Sequence, residues 1–206
     1  MRPVTGNNLP KTIRKVSIQQ PLDGHSFSLP ELREPLGEGE VAEVEMLMPR
    51  TMLAPAAMCD PADPERARAW FAACGMPLRD DECLVASDPA DGIVALIAAR
   101  RDVVSLLRET WGGALRFTTP LLHEPPQRET CVWIHRTAGM TWVKVYDKEL
   151  QFAEVLSSDD DTELLYLLER LGGQFPLRDY TLYLSGAGSR DARRLAAKRF
   201  KKAICE

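Results

Sequence analysis

Residues 131–173, CVWIHRTAGMTWVKVYDKELQFAEVLSSDDDTELLYLLERLGG, decide the fold. Three runs in this stretch, 131–135, 141–146 and 151–156, are rich in β-branched and aromatic residues. The turns Arg136-Thr137-Ala138-Gly139 and Asp147-Lys148-Glu149 separate them, so the spacing predicts three strands in a meander. The period then changes. Leu164, Leu165, Leu167, Leu168 and Leu171 recur at helical spacing, and Gly172-Gly173 stops the run. Ser157-Ser158 is the expected cap, and Asp159, Asp160 and Asp161 suit the positive end of the helix dipole.

Further along, 181–184 reads as a buried strand and 190–202 as a last helix. Upstream, Asp23-Gly24 stands between two alternating runs, 16–20 and 25–29, which is the composition of a tight hairpin. The stretch 30–39 is a turn-rich, acidic loop, and 41–48 a third strand with Val44, Met46 and Met48 on one face. Asp63 caps a helix over 64–74 that begins at Pro64 and ends at Gly75. Strands over 82–86 and 93–98 pair across the turn 87–92. A helix over 101–110 has Val103, Val104 and Leu107 on its apolar side, and 114–117 is a short strand. Both halves thus run hairpin, third strand, helix, strand, helix. The expected architecture is mixed α/β: a disordered tail over 1–13, one lobe over 14–118 and a second over 119–206, pseudo-duplicated, with mixed sheets flanked by helices. A meander feeding a helix and a strand, used twice, is similar to the two-lobed build of actin-like, ribonuclease H-like ATPase folds.

The segment 16–29, VSIQQPLDGHSFSL, resembles the opening hairpin of the bacterial domain-of-unknown-function family 3822. So does 48–55, MPRTMLAP, after the third strand, and so do the meander from Trp133 onward and its leucine-rich helix. The resemblance spans most of 16–204. It implies an actin-like ATPase fold, shared with sugar kinases and heat-shock chaperones, and it implies no particular reaction.

Composition narrows the function classes. The 206 residues are 45% hydrophobic and 27% charged, with a net charge of −4, so nothing global points to nucleic acid or a membrane surface. Residues 1–12 are polar and carry no apolar leader segment. The longest apolar run, 93–99, is too short to span a bilayer, so a cytoplasmic protein is expected. Five cysteines with no C-x-x-C spacing argue against a zinc site or a disulfide framework.

The resemblance implies three places where a nucleotide would be gripped. Two are hairpin turns, usually with a carboxylate near Mg²⁺. The first turn offers Asp23, Gly24 and Ser26, although Asp-Gly is also the natural sequence of a type I′ turn. The second, His135-Arg136-Thr137-Ala138-Gly139, has no carboxylate; Arg136 can meet a phosphate but cannot hold Mg²⁺. The third is Ser185-Gly186-Ala187-Gly188-Ser189, between a strand and a helix, where Gly186, Gly188 and Ser189 would face a nucleotide or simply make a tight turn with Ser189 as N-cap. A dinucleotide fingerprint fails there, because Asp191 replaces its third glycine and no further strand is expected to carry a ribose-binding acid. We therefore expect no catalytic residue, no metal and no cofactor, with ATP and Mg²⁺ as the alternative. The expected role is a protein-binding or scaffold module; a nucleotide binder with weak or no hydrolysis is the second reading.

A third reading, an accessory to nucleic acid, has one hint in Arg193, Arg194, Lys198 and Arg199 on the last helix, where a solvated face is the better explanation. His25, His123 and His135 are scattered along the chain. Cys131 and His135 share a strand face with Trp133, but two ligands do not make a zinc site. Trp133 and Trp142 are expected as neighbours across adjacent strands, and capping explains Asp159, Asp160 and Asp161 without a cation. Gly172-Gly173-Gln174 matches a release-factor tripeptide, yet two glycines after a leucine helix are an ordinary stop.

Overall fold

The computed structural model describes residues 12–19, 35–59, 63–137, 139–158 and 160–206. In chain order the elements are β1 (Ile13–Gln19), β2 (Val41–Leu47), β3 (Thr51–Pro55), α1 (Pro64–Ala73), β4 (Glu82–Ala86), β5 (Ile93–Arg100), α2 (Arg101–Trp111), β6 (Leu115–Thr118), β7 (Thr130–Thr137), β8 (Met140–Asp147), β9 (Glu149–Leu156), α3 (Asp161–Gly172), β10 (Thr181–Gly186), α4 (Ser189–Ala196) and β11 (Lys202–Cys205).

The meander read from residues 131–173 is β7, β8 and β9, paired antiparallel with a register irregularity at Val145/Tyr146. It forms three strands of a five-stranded sheet of order β11-β10-β7-β8-β9, in which β7, β10 and β11 run parallel. Alternation sends successive residues to opposite faces. Val132, Ile134, Val143, Val145, Leu182 and Leu184 form a core with the leucines of α3 and with Ala192 and Ala196 of α4. Cys131, Trp133, Trp142, Tyr146 and Tyr183 face the other way, onto Leu47 and Leu53 from the first half of the chain and Leu121 from the connection between β6 and β7. Both faces are covered, so Trp133 and Trp142 are core residues, each contributing about 1.5–3 kcal/mol by burial. In the register Trp142 lies opposite His135 and Trp133 opposite Lys144, so the two indoles are diagonal neighbours rather than a direct pair.

Several expectations need correction. The strand 41–48 is present as β2, but it pairs in parallel with β1, from Ile13↔Val41 to Gln19↔Leu47, and is not the third strand of a meander. The other arm of the expected hairpin, 25–29, lies outside the described residues. β6 joins β2 in parallel, giving a sheet of order β1-β2-β6. β3, which the sequence reading left without a strand, forms a separate antiparallel sheet β3-β5-β4. Among the described residues, then, the first half does not repeat the meander of the second. The last helix is shorter than expected: α4 ends at Ala196, a 3-10 turn covers Ala197–Arg199, and β11 follows. Phe200, 7% exposed, is drawn into the core against α3 and α4, which ends the helix and turns the chain back along β10.

Helix starts follow their caps. Asp63 accepts a hydrogen bond from the Arg66 amide at 3.2 Å, as expected. α3 is capped by Asp160, which accepts from the Thr162 amide at 2.6 Å, rather than by Ser157-Ser158. α4 begins after Gly188, so Ser189 is its first residue and not its N-cap.

Candidate functional site

The polar side chains that leave the core of the five-stranded sheet gather at the C-terminal ends of β7 and β10, one set on each face. On the face toward the first half of the chain, Nδ1 of His135 lies 2.8 Å from Oγ of Ser185. The His135 ring stacks on Trp133, with centroids 5.8 Å apart and planes 10° from parallel. His123 stands edge-on to both rings, at 5.9 Å from His135 and 6.4 Å from Trp133. Its Nε2 is 2.8 Å from Oε1 of Glu45 on β2, and Oε2 of Glu45 accepts from the Ser17 hydroxyl of β1 at 3.1 Å. Ser17, Glu45, His123, His135 and Ser185 therefore make a polar line from the three-stranded parallel sheet to the five-stranded sheet.

The hydrogen bond from His123 holds the Glu45 carboxyl below its ordinary range despite burial, and Ser17 adds to this. Burial pushes His135 down, His123 adds to the effect, and Glu45 opposes it. Both shifts act on stability in the same direction. The folded state binds a proton at His135 less readily than the unfolded chain, so stability falls as pH drops below the ordinary value of 6.5. The stability that Glu45 contributes above 4.5 is lost as pH falls through its lowered value. Urea unfolding at about pH 7.5 and about pH 5.5 should show a loss on acidification that is smaller in His135→Gln. Equal losses in both proteins would mean that His135 does not carry the effect.

On the opposite face Arg136, 3% exposed, closes the end of the sheet. Its Nη1 donates to Oδ1 of Asp161, the first residue of α3, at 2.9 Å. Its carbonyl oxygen accepts from the Ala187 amide at 2.7 Å. Gly186, at φ +82°, comes so close that a Cβ there would lie 3.0 and 3.1 Å from the carbonyl carbon and amide nitrogen of Arg136, and closer still to its oxygen. Gly188, at φ +64°, leads into α4 with its Cβ position 3.5 Å from Nη1 of Arg136. The second turn and the glycine turn, distant in sequence, thus meet at Arg136. Its Nε is buried without a hydrogen-bond partner among the described residues.

Of the candidates named from sequence, Gly186, Gly188 and Ser189 lie together at this turn, while Asp23, Gly24, Ser26 and His25 lie outside the described residues. His123 and His135, read as scattered, are neighbours. Asp160 caps α3 and Asp161 pairs with Arg136. On α4 Arg194 pairs with Asp191 at 3.0 Å, and in the 3-10 turn after it Arg199 pairs with Glu169 at 3.3 Å.

Sequence reasoning missed Glu45 and Lys144. Lys144 is fully buried; its Nζ donates to the His123 carbonyl and sits 5.0 Å from the Trp133 ring centroid and 5.5 Å from that of Tyr146. Glu124 lies 3.8 Å from it and accepts from the Tyr146 hydroxyl at 3.2 Å. Burial lowers the Lys144 pKa to about 8, with Glu124 resisting. A cavity of about 470 Å³ adjoins it, bordered by Leu53, Ile93, Glu124 and Tyr146.

The chain has an actin-like ATPase fold. A crystal structure from Bacteroides thetaiotaomicron, described as a protein with actin-like ATPase fold and unknown function, is similar over 81% of this chain and 68% of its own, with a TM-score of 0.65 and 12% identity. That likeness shows the fold alone. The cytoplasmic domain of EpsL, an inner-membrane component of the type II secretion system of Vibrio cholerae, matches over 70% of this chain and 61% of its own at 10% identity. Its TM-score of 0.40 is too low to carry an argument. No family model and no curated protein matches the chain.

Proposed function

We propose that this chain is an actin-like module that acts through contacts with a protein partner and does not turn over ATP. The observation that carries this reading is Arg136. Its guanidinium is engaged by Asp161, and its backbone occupies the space that Gly186 leaves open. The glycine turn is therefore accounted for by a close approach of the chain to itself. A phosphate at the second turn would have to compete with Asp161 for the guanidinium, and residues 135–139 supply no carboxylate for Mg²⁺. The reading includes two lobes divided near residue 118, a cytoplasmic location and membership of the bacterial domain-of-unknown-function family 3822. Among the described residues no helix is long and apolar enough to cross a membrane.

One observation favours the second reading, a nucleotide binder with weak or no hydrolysis. The unpartnered Nε of Arg136 lies beside the N-terminal end of α4, where amides attract anions. Asp23, Gly24, Ser26, Gly186, Gly188 and Ser189 would line such a site.

Thermal unfolding with millimolar Mg-ATP, ADP and a non-hydrolysable ATP analogue separates the two. A ligand that binds only the folded state raises the midpoint by an amount set by its concentration over Kd. The expected result is no shift with any nucleotide and no phosphate release. A shift that Arg136→Ala abolishes would replace the first reading with the second.

A further inference from the structure

Away from the junction just described, a groove of about 450 Å³ lies between α1, β4 and α2. Three guanidinium groups line it: Arg68 from α1, and Arg101 and Arg108 from α2. The last two are seven residues apart, which places them on one face of the helix. Leu84 and Ala86 supply apolar walls, and the Cys83 thiol lies among the arginines. The single carboxylate in the lining, Glu65, is held by Arg68 at 3.1 Å. Arg101 donates to the Glu82 carbonyl at 2.8 Å. The Arg108 side chain has no hydrogen bond or ion pair among the described residues. In a chain whose net charge is −4, this positive groove runs against the overall sign, so a generally basic surface does not account for it.

We propose that the groove between α1, β4 and α2 binds a small amphipathic anion, its carboxylate or phosphate head held by Arg101 and Arg108 and its apolar body lying on Leu84 and Ala86. A guanidinium fork donates two parallel hydrogen bonds to either head. The volume fits a ligand of ordinary small-molecule size. Burial raises the Cys83 pKa, outweighing the three arginines, so the thiol stays protonated and no covalent step is involved. This site is independent of whether the chain binds ATP.

Calorimetric titration of the full chain with hexyl phosphate and with hexanoate tests the site, with inorganic phosphate and hexylamine as controls. At least one of the two amphipathic anions should bind about tenfold or more tightly than either control, and the tighter one names the head group. Arg108→Glu should abolish binding and Arg108→Ala should weaken it about tenfold, the alanine variant with an unfolding midpoint close to that of the parent because the Arg108 side chain holds no partner among the described residues. Location is read by iodoacetamide labelling and peptide mapping. The anion should slow alkylation of Cys83, which lines the groove, and leave the exposed Cys74 unaffected. Binding by neither anion, equal binding of hexylamine, undiminished binding in Arg108→Glu, or equal protection of Cys74 would each overturn the proposal.

Discussion

Gly186→Ala should cost the protein about 3 kcal/mol or more, several times the cost of the same change at Gly188. Two terms add at Gly186. Its φ of +82° belongs to a region that side chains with a Cβ occupy at a cost of about 1–2 kcal/mol. The added methyl would also sit 3.0 and 3.1 Å from the carbonyl carbon and amide nitrogen of Arg136, and inside contact distance of its oxygen. Those are backbone atoms of a central strand and cannot swing aside. Relief would separate β10 from β7 and break the 2.7 Å bond from the Ala187 amide to Arg136, a bond worth about 0.5–1.5 kcal/mol. At Gly188 the φ of +64° carries the same conformational term, but the new Cβ would meet only the flexible tip of Arg136 at 3.5 Å. Its cost should stay near 1 kcal/mol. Urea denaturation of the two variants gives the comparison directly. Similar losses at both positions would mean that the Arg136 carbonyl yields freely, and the argument that the chain itself fills the glycine turn would fail with it.

What the sequence disclosed follows from which forces are local. The β7–β9 meander and α3 were legible because alternation, turn residues and leucine spacing all lie within one continuous stretch. β1 and β2 were legible as strands but not as partners. An Asp-Gly pair suggests pairing with the adjacent run, whereas β1 is joined to β2 across a gap of more than twenty residues, and periodicity carries no information about which edge a strand will find. β11 was hidden by composition. Lys201-Lys202 after an arginine-rich run reads as the basic last turn of a helix, and only the burial of Phe200 breaks it.

The candidate site was the least legible part. Glu45, His123 and His135 come from β2, from the connection after β6 and from β7, and only the contact between sheets joins them. Arg136 could be named as the odd residue of the second turn, but its pairing with Asp161 and its contact with Gly186 depend on α3 and α4 both lying over one face. Lys144 was concealed by the pattern itself. In Val143-Lys144-Val145 a charge between two valines reads as the solvent side of a half-exposed strand. The sheet is covered on both faces, so the solvent side does not exist at that position.

The burial of Lys144 defines the second large effect. Lys144→Met should leave the protein at least as stable at neutral pH and should remove a rise in stability between about pH 8 and about pH 9. Burial lowers the lysine to about 8 from an ordinary 10.5, so in this range the unfolded chain binds the proton that the folded state gives up. Stability therefore rises with pH here, and the penalty of burying the ammonium, on the order of 3 kcal/mol, is fully present below about pH 8. Its neighbours limit the window. Burial raises the Cys131 thiol to about 11 from 9.0 and lifts the Tyr146 hydroxyl above its ordinary 10.0. Both hold their protons longer in the folded state, so each lowers stability as pH climbs past those ordinary values. Below about pH 9 the lysine titrates without them. Methionine keeps the length of the stem against Trp133 and Tyr146 and removes the charge, an exchange that is often neutral or stabilising by about 1–4 kcal/mol. The opposing cost is the lost donor to the His123 carbonyl, about 1–3 kcal/mol if no water replaces it. Glu124, 43% exposed, keeps its hydration and its pairing with Arg128. Unfolding free energies of the two proteins at closely spaced pH values from about 7 to about 9 give the result as a difference, over a range that ends before Cys131 and Tyr146 contribute much. Parallel curves would mean that Lys144 keeps its proton throughout, and a variant weaker by more than about 2 kcal/mol at pH 7 would make the buried ammonium a net support of the junction, held there by Trp133, Tyr146 and the His123 carbonyl against its own desolvation.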